Sequence, residues 1–305
     1  MLPQKTLLIC VVGPTAIGKT SLAIKLAKAF STEIISADSR QFYKEMCIGT
    51  AVPSKEELEA VPHHFIQNKS VFEEYSVGNF ERDVIEFLKK FFKKNKVAIM
   101  VGGSGLYVDA VIKGLDHFPE VPSEIREQLN SELNEKGIES LQNELKSVDT
   151  SYFKKVDIYN PHRLVRALEI YRSSGKPYSS FLKKESDERD FKTILIGLTA
   201  EREMIYERIN QRVDHMVKNG LVEEAKSLFP FKEKNALQTV GYRELFQYFE
   251  GIISLEEAVS EIKKNTRRFA KRQNTWFKKN EAIHWFNYDT DASEITTFIK
   301  EKNAL

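Results

Sequence analysis

Leu7-Leu8-Ile9-Cys10-Val11-Val12-Gly13-Pro14-Thr15-Ala16-Ile17-Gly18-Lys19-Thr20 sets the architecture of this chain. An apolar run passes directly into a G-x4-G-K-[ST] pattern, and the amphipathic stretch Ser21 to Phe30 follows. A buried strand, a phosphate loop and a helix are expected in that order. In such a loop successive backbone N–H groups and a helix N-terminus converge on an anion. Gly13, Pro14, Thr15, Ala16, Ile17, Gly18, Lys19 and Thr20 are therefore the expected diphosphate cradle, with Lys19 as a point charge and Thr20 offering its hydroxyl to Mg²⁺. A nucleotide and any other diphosphate ester present the same group, so the loop alone names no ligand.

Outward from that loop, short apolar runs alternate with helical stretches, the signature of an α/β fold with a parallel sheet. Strands are expected at Leu7 to Val12, Glu33 to Ala37, Val97 to Val101, Thr193 to Thr199 and Ala282 to Phe286. Ligands gather at the carboxyl ends of such strands. Between about Gly114 and Arg189 the strand-like runs stop and helical stretches such as Glu124 to Lys146 and His162 to Ser173 take over. The expected organisation is a core built from residues 1–115 and 191–305, interrupted by an all-helical insertion at 116–190. Pro119 to Pro122 and Lys183 to Asp190 read as its solvated flanks.

Composition narrows the classes further. A net charge of +2 over 305 residues means that any nucleic-acid contact must come from local clustering. No apolar run is long enough for a membrane span, so a cytoplasmic protein with no membrane partner is expected. Cys10 lies in a strand and Cys47 in a loop, without metal-ligand spacing, and both read as reduced bystanders. The adjacent pair His63-His64 has no Cys or carboxylate at ligand spacing either, and a structural or substrate-orienting role is expected.

Two further strand ends carry ligand-capable loops. Asp38, in Ser36-Ala37-Asp38-Ser39-Arg40-Gln41, suits either a general base or a cap for the following turn. Gly102-Gly103-Ser104-Gly105 combines close backbone approach with a hydroxyl. On the helix expected over Glu201 to Lys218, Arg208 and Arg212 stand one turn apart, suited to a departing phosphate or to salt bridges with Glu201, Glu203 or Glu207. Lys263 to Lys279 holds eight basic residues and no acid, with Phe269 and Trp276 expected to anchor one side while the cations track an RNA backbone or face solvent.

Taken together, these residues resemble the bacterial-type tRNA dimethylallyltransferases, the isopentenyl-tRNA transferase family. The resemblance rests on the phosphate loop, Asp38-Ser39-Arg40-Gln41, Tyr43-Lys44, Gly49-Thr50-Ala51, Pro62-His63-His64 and Gly102 to Tyr107. It continues through Arg163, Arg166 to Glu169, Val240-Gly241-Tyr242-Arg243, Lys271-Arg272-Gln273 and Thr275-Trp276, and so covers essentially the whole chain. Ile17 stands where a small residue is common and Ser104 where the family often has Thr; both keep the chemistry.

The resemblance implies a P-loop NTPase-like parallel sheet flanked by helices. It implies transfer of a dimethylallyl group from dimethylallyl diphosphate to N6 of adenosine 37 in tRNAs that read codons beginning with U, with Mg²⁺; a monomer is expected, although nothing in the sequence specifies the oligomeric state. Asp38, Ser104 and Arg212 are the implied catalytic residues. Asp38, Ser39, Arg40, Gln41, Ser104, Arg126, His162, Arg163, Leu164, Val165, Arg166, Gln238, Thr239, Val240, Gly241, Tyr242, Arg243, Lys271 and Arg272 are the implied contacts to the tRNA anticodon stem-loop. Three other readings use the same loop: an adenylate isopentenyltransferase acting on free nucleotide, a small-molecule kinase binding ATP, and an RNA-binding protein switched by nucleotide. The long insertion and basic helix argue against the first, since a free nucleotide needs neither.

Overall fold

The structure, a computed structural model, describes residues 6–182 and 188–303. It divides into two compact units: the chain up to Lys113 together with the chain from Arg189 onward, and Gly114–Glu188.

The first unit is built on six strands: β1 (Leu7–Val12), β2 (Ile34–Ser36), β3 (His63–His64), β4 (Val97–Gly102), β5 (Lys192–Thr199) and β6 (Ile283–Asn287). They form one parallel sheet in the order β3-β2-β4-β1-β5-β6. Strands covered by helices on both faces must be apolar along their length, and β1 and β4 are buried at every position. Alternate side chains then serve opposite layers: Leu8, Cys10 and Val12 enter one core, Leu7, Ile9 and Val11 the other. The first layer is closed by helices such as Val77–Phe91 and Leu255–Phe277, the second by Lys19–Ala29 and Arg202–Lys218.

Chain order fixes where a ligand can sit. From β1 the chain moves to β2 and β3, returns to place β4 beside β1, and then continues on the other side with β5. The order reverses between β1 and β4, which opens a crevice beyond their carboxyl ends. The phosphate loop, the Asp38 turn and the Gly103-Ser104 loop all leave strands at that edge.

β3 was not among the expected strands. It is two residues long, pairs through Ile34↔His63 and Ile35↔His64, and has no apolar run to announce it. His63 Nδ1 lies 2.8 Å from the Val61 carbonyl and His64 Nε2 2.5 Å from Glu33 Oε2, so both imidazoles are used in holding this edge.

The second unit is helical, with Ser123–Lys136, Ile138–Val148, Thr150–Phe153 and Pro161–Ser174 packed around Leu129, Leu141, Leu145, Leu164 and Leu168. The expected helix over Glu124 to Lys146 is broken at Gly137. Residues 119–122 have no regular structure, and residues 183–187 of the other expected flank lie outside the described residues. Fully enclosed Glu169 accepts two hydrogen bonds from Arg126, at 2.6 and 2.7 Å, and another from Arg166. Burial alone would raise its carboxyl, but the two guanidiniums outweigh this and hold it below the usual range.

No helix among the described residues is long and apolar enough to cross a membrane.

Candidate active site

The phosphate loop owes its shape to left-handed backbone that only small residues take readily. Gly13 has φ +142°, and a Cβ there would lie 2.8 Å from the Leu198 carbonyl oxygen, so the loop passes flush against β5. The helix that follows starts at Lys19 with Gly18 as its cap. Lys19 Nζ donates to the loop's own Pro14 carbonyl at 2.7 Å. Desolvation pulls this ammonium down to about 7, although Asp38 draws it upward; Arg212 adds to the lowering. An arriving diphosphate would reverse that balance.

Arg212 resolves the choice left open by its spacing. Its Nη1 donates to Thr15 Oγ1 at 3.2 Å, which commits it to the loop rather than to an acid on its own helix. Burial lowers its guanidinium against the pull of Asp38 and Glu57. Arg208 stands over the Tyr288 ring at 5.6 Å and lines the same cavity as Lys19.

At the end of β2, Asp38 Oδ1 accepts the Arg40 amide at 3.0 Å. The capping role is therefore real, but it occupies one oxygen; Oδ2 has no hydrogen-bond partner among the described residues. Ser104 Oγ accepts the Ser39 amide at 3.1 Å and donates to Ser39 Oγ at 3.2 Å, tying the ends of β2 and β4 together.

Two cavities meet here. One, of about 980 Å³, contains Lys19, Thr20, Arg208 and Arg212. The other, of about 510 Å³, contains Ser39, Ser104, Arg243, Arg272 and Trp276. Thr15, Asp38, Arg212 and Met216 border both. A leaving diphosphate in the first and a flat acceptor in the second would thus meet beside Asp38.

Several expected contacts take other places. Tyr242, Leu164 and Val165 are enclosed in cores, so their side chains support the surface rather than form it. Tyr242 donates its hydroxyl to Glu224 Oε1 at 2.7 Å. Arg40 spends Nη1 on the carbonyls of Asn235 and Ala236, at 3.3 and 3.1 Å, and Gln41 spends Nε2 on those of Thr50 and Ala51, at 3.2 and 2.9 Å. Gln238, Arg243, Lys271 and Arg272 are exposed, Thr239 and Val240 half-buried, and Gly241 buried. In the insertion His162 and Arg163 are exposed, while Arg126 and Arg166 are held by Glu169.

Phe269 and Trp276 reverse the expectation that they anchor the basic helix. Ala270, Gln273 and Phe277 are its buried residues, and the two aromatics stay 39% and 44% exposed at the second cavity.

Sequence reasoning missed two residues that shape the site. Gln273 Oε1 accepts the Thr15 amide at 2.8 Å while its Nε2 donates to the Gly103 carbonyl at 2.9 Å, joining two strand-end loops. Glu224 accepts the amides of Cys47, Ile48 and Gly49 at 2.8, 2.8 and 2.9 Å, and so fixes the loop beside both cavities.

The chain is similar to known proteins along nearly its whole length. The family model described as IPP transferase matches residues 41–280. A tRNA dimethylallyltransferase of Christiangramia forsetii is 61% identical over 97% of this chain and 98% of its own length. One from Flavobacterium psychrophilum is 56% identical, over 97% and 98%. Among solved structures, the full-length tRNA isopentenylpyrophosphate transferase of Bacillus halodurans is 37% identical with a TM-score of 0.73, over 98% of this chain and 97% of that one. A eukaryotic dimethylallyltransferase acting on tRNA gives 0.82 at 25% identity, over 98% and 79%. With a phosphate loop, a strand-end carboxylate and these relatives along nearly its full length, the chain belongs to the IPP transferase family.

Proposed function

We propose that this protein prenylates tRNA, moving a dimethylallyl group from dimethylallyl diphosphate to N6 of adenosine 37 in tRNAs that read codons beginning with U. The observation that carries this reading is the placement of Asp38, Thr15 and Arg212 on the border of two cavities, one holding a phosphate loop and the other open toward a basic, aromatic helix face.

The chemistry follows from that placement. The N6 lone pair attacks the allylic carbon, the bond from that carbon to the diphosphate oxygen breaks, and diphosphate leaves with the bonding electrons. Loop amides, Lys19 and Arg212 stabilise the charge on the departing oxygens. Adenine's exocyclic amine is weakly nucleophilic, because its lone pair is delocalised, and must lose a proton as the new bond forms. Asp38, through Oδ2, takes that proton. The Thr20 hydroxyl, which lines the first cavity, would hold Mg²⁺, and the ion would supply further neutralisation of the leaving group.

The adenosine must leave its stack to reach Asp38, at a cost of a few kcal/mol that loop contacts offset. Ser39, Ser104 and the 238–243 segment surround the second cavity and are the groups placed to receive it. Arg126, Arg163 and Arg166 give the insertion its own cations for RNA, with His162 exposed beside Arg163. The protein acts as a cytoplasmic monomer in this reading.

Mass spectrometry of nucleosides tests the proposal, after incubation with unmodified tRNA, dimethylallyl diphosphate and Mg²⁺, with AMP as a parallel acceptor. N6-dimethylallyladenosine in tRNA alone is expected. Prenylated AMP would move the reading to free-nucleotide enzymes, and no product in either would overturn it.

A further inference from the structure

We propose that Trp276 is a stacking platform for the nucleobase next to the target adenosine, with Arg272 holding the phosphate that links the two nucleotides. This rests on the reading of the second cavity as the entrance for RNA.

The platform is built, not incidental. Phe269, Arg272 and Trp276 fall at i, i+3 and i+7 of the Leu255–Phe277 helix, and so share one face, while Gln273 and Phe277 beside them turn inward. The indole is fixed at its edge: Nε1–H donates to Asp109 Oδ2 at 3.0 Å, and Asp109 is itself paired with Lys113 at 3.0 Å. It is also seated against backbone, because a Cβ on Gly105 would come within 2.3 Å of its Cδ1 atom. Even so, Trp276 keeps 44% of its surface exposed and lines the second cavity. The guanidinium of Arg272 lies over the Phe269 ring at 5.7 Å, which steadies a cation one helical turn from the indole.

Charge and shape select the occupant. A flat aromatic surface among Lys271, Arg272, Lys278 and Lys279, in a segment without a single acid, fits an anionic partner that carries flat rings. An apolar chain would gain nothing from those cations. Extruding the target adenosine strips each flanking base of a stacking partner, and an indole at the cavity mouth replaces one of them. Stacking tolerates any base, so the site requires a base at this position without specifying which.

The test uses an RNA hairpin with an unpaired adenosine in its loop, and the same hairpin made abasic at either flanking nucleotide. The emission difference between wild type and Trp276→Phe separates Trp276 from the other tryptophan, Trp285. Expected results are quenching of Trp276 by the intact hairpin, loss of quenching with one abasic hairpin, and weaker binding of that hairpin by about tenfold, the scale of one stacking contact. Trp276→Ala should lose the same factor with the intact hairpin and nothing more with the abasic one, while Trp276→Phe keeps most of the affinity. If the hairpin is bound and prenylated while Trp276 emission does not move, or if the Trp276→Ala and abasic losses simply add, the platform is wrong and the function stands. If wild type binds no hairpin at all, the RNA reading falls and the platform with it.

Discussion

Gln273 and Thr15 are joined across most of the chain's length: the side-chain oxygen of the one accepts the amide of the other at 2.8 Å, at the rim of the phosphate loop. Because Gln273 also donates to Gly103, the basic helix, the phosphate loop and the end of β4 form one rigid unit. Gln273→Leu would leave a loop amide and a carbonyl without partners. We expect a loss of about 1–3 kcal/mol in urea unfolding. Diphosphate affinity, measured by calorimetry, should fall about tenfold, equivalent to about 1.4 kcal/mol. Unchanged affinity would mean that the loop keeps its shape without this bridge.

Lys19 predicts a proton balance. Its ammonium has a folded-state value near 7 against an ordinary 10.5, so between those limits the unfolded chain holds a proton that the folded one has lost. Its contribution to stability therefore rises with pH across that window and is flat below it. Diphosphate should restore the charge, so calorimetry at pH 8 in buffers of different ionisation enthalpy should show proton uptake on binding. Lys19→Met should abolish the uptake.

Glu224 should matter more than its distance from the reacting atoms suggests. Glu224→Ala releases three consecutive amides and the Tyr242 hydroxyl. A loss of about 2 kcal/mol is expected from denaturant unfolding. Hydrogen exchange at residues 47–49 should accelerate well beyond that of β1.

Lys271→Ala with Arg272→Ala should weaken RNA binding and flatten its salt dependence. Two lost phosphate contacts reduce the slope of log K against log salt by about 1.4 for single-stranded RNA. An unchanged slope would take this helix face off the RNA.

Legibility in the sequence followed from how local each signal was. β1 and the phosphate loop announce themselves because apolar run, glycines and Lys19 are contiguous. Asp38 was legible as a strand-end carboxylate, while its division into a capping oxygen and an unpartnered one belongs to three dimensions. Glu224 was invisible because the three amides it holds lie more than 170 residues away. Gln273 had a faint signal: it interrupts the buried stripe Ala258, Ile262, Ala270 and Phe277, where a polar side chain must find partners. Phe269 and Trp276 misled because aromatic spacing on a helix reads as packing, and only the exposed cavity face reveals their other use. Tyr242, Leu164 and Val165 sit inside motifs that resemble RNA contacts, yet these motifs lie on helices, whose inner face buries part of each motif in a core.

The most direct measurement is single-turnover transfer from dimethylallyl diphosphate to an adenosine-bearing tRNA stem-loop, comparing wild type with Asp38→Asn, alongside RNA affinity. The amide keeps the size and the cap to Arg40 but cannot take the proton from N6. Transfer should slow by about 10²–10⁴-fold, the usual scale of a lost general base, with RNA affinity within a few fold. Near-normal transfer by Asp38→Asn would contradict the placement of the chemistry at the junction of the two cavities.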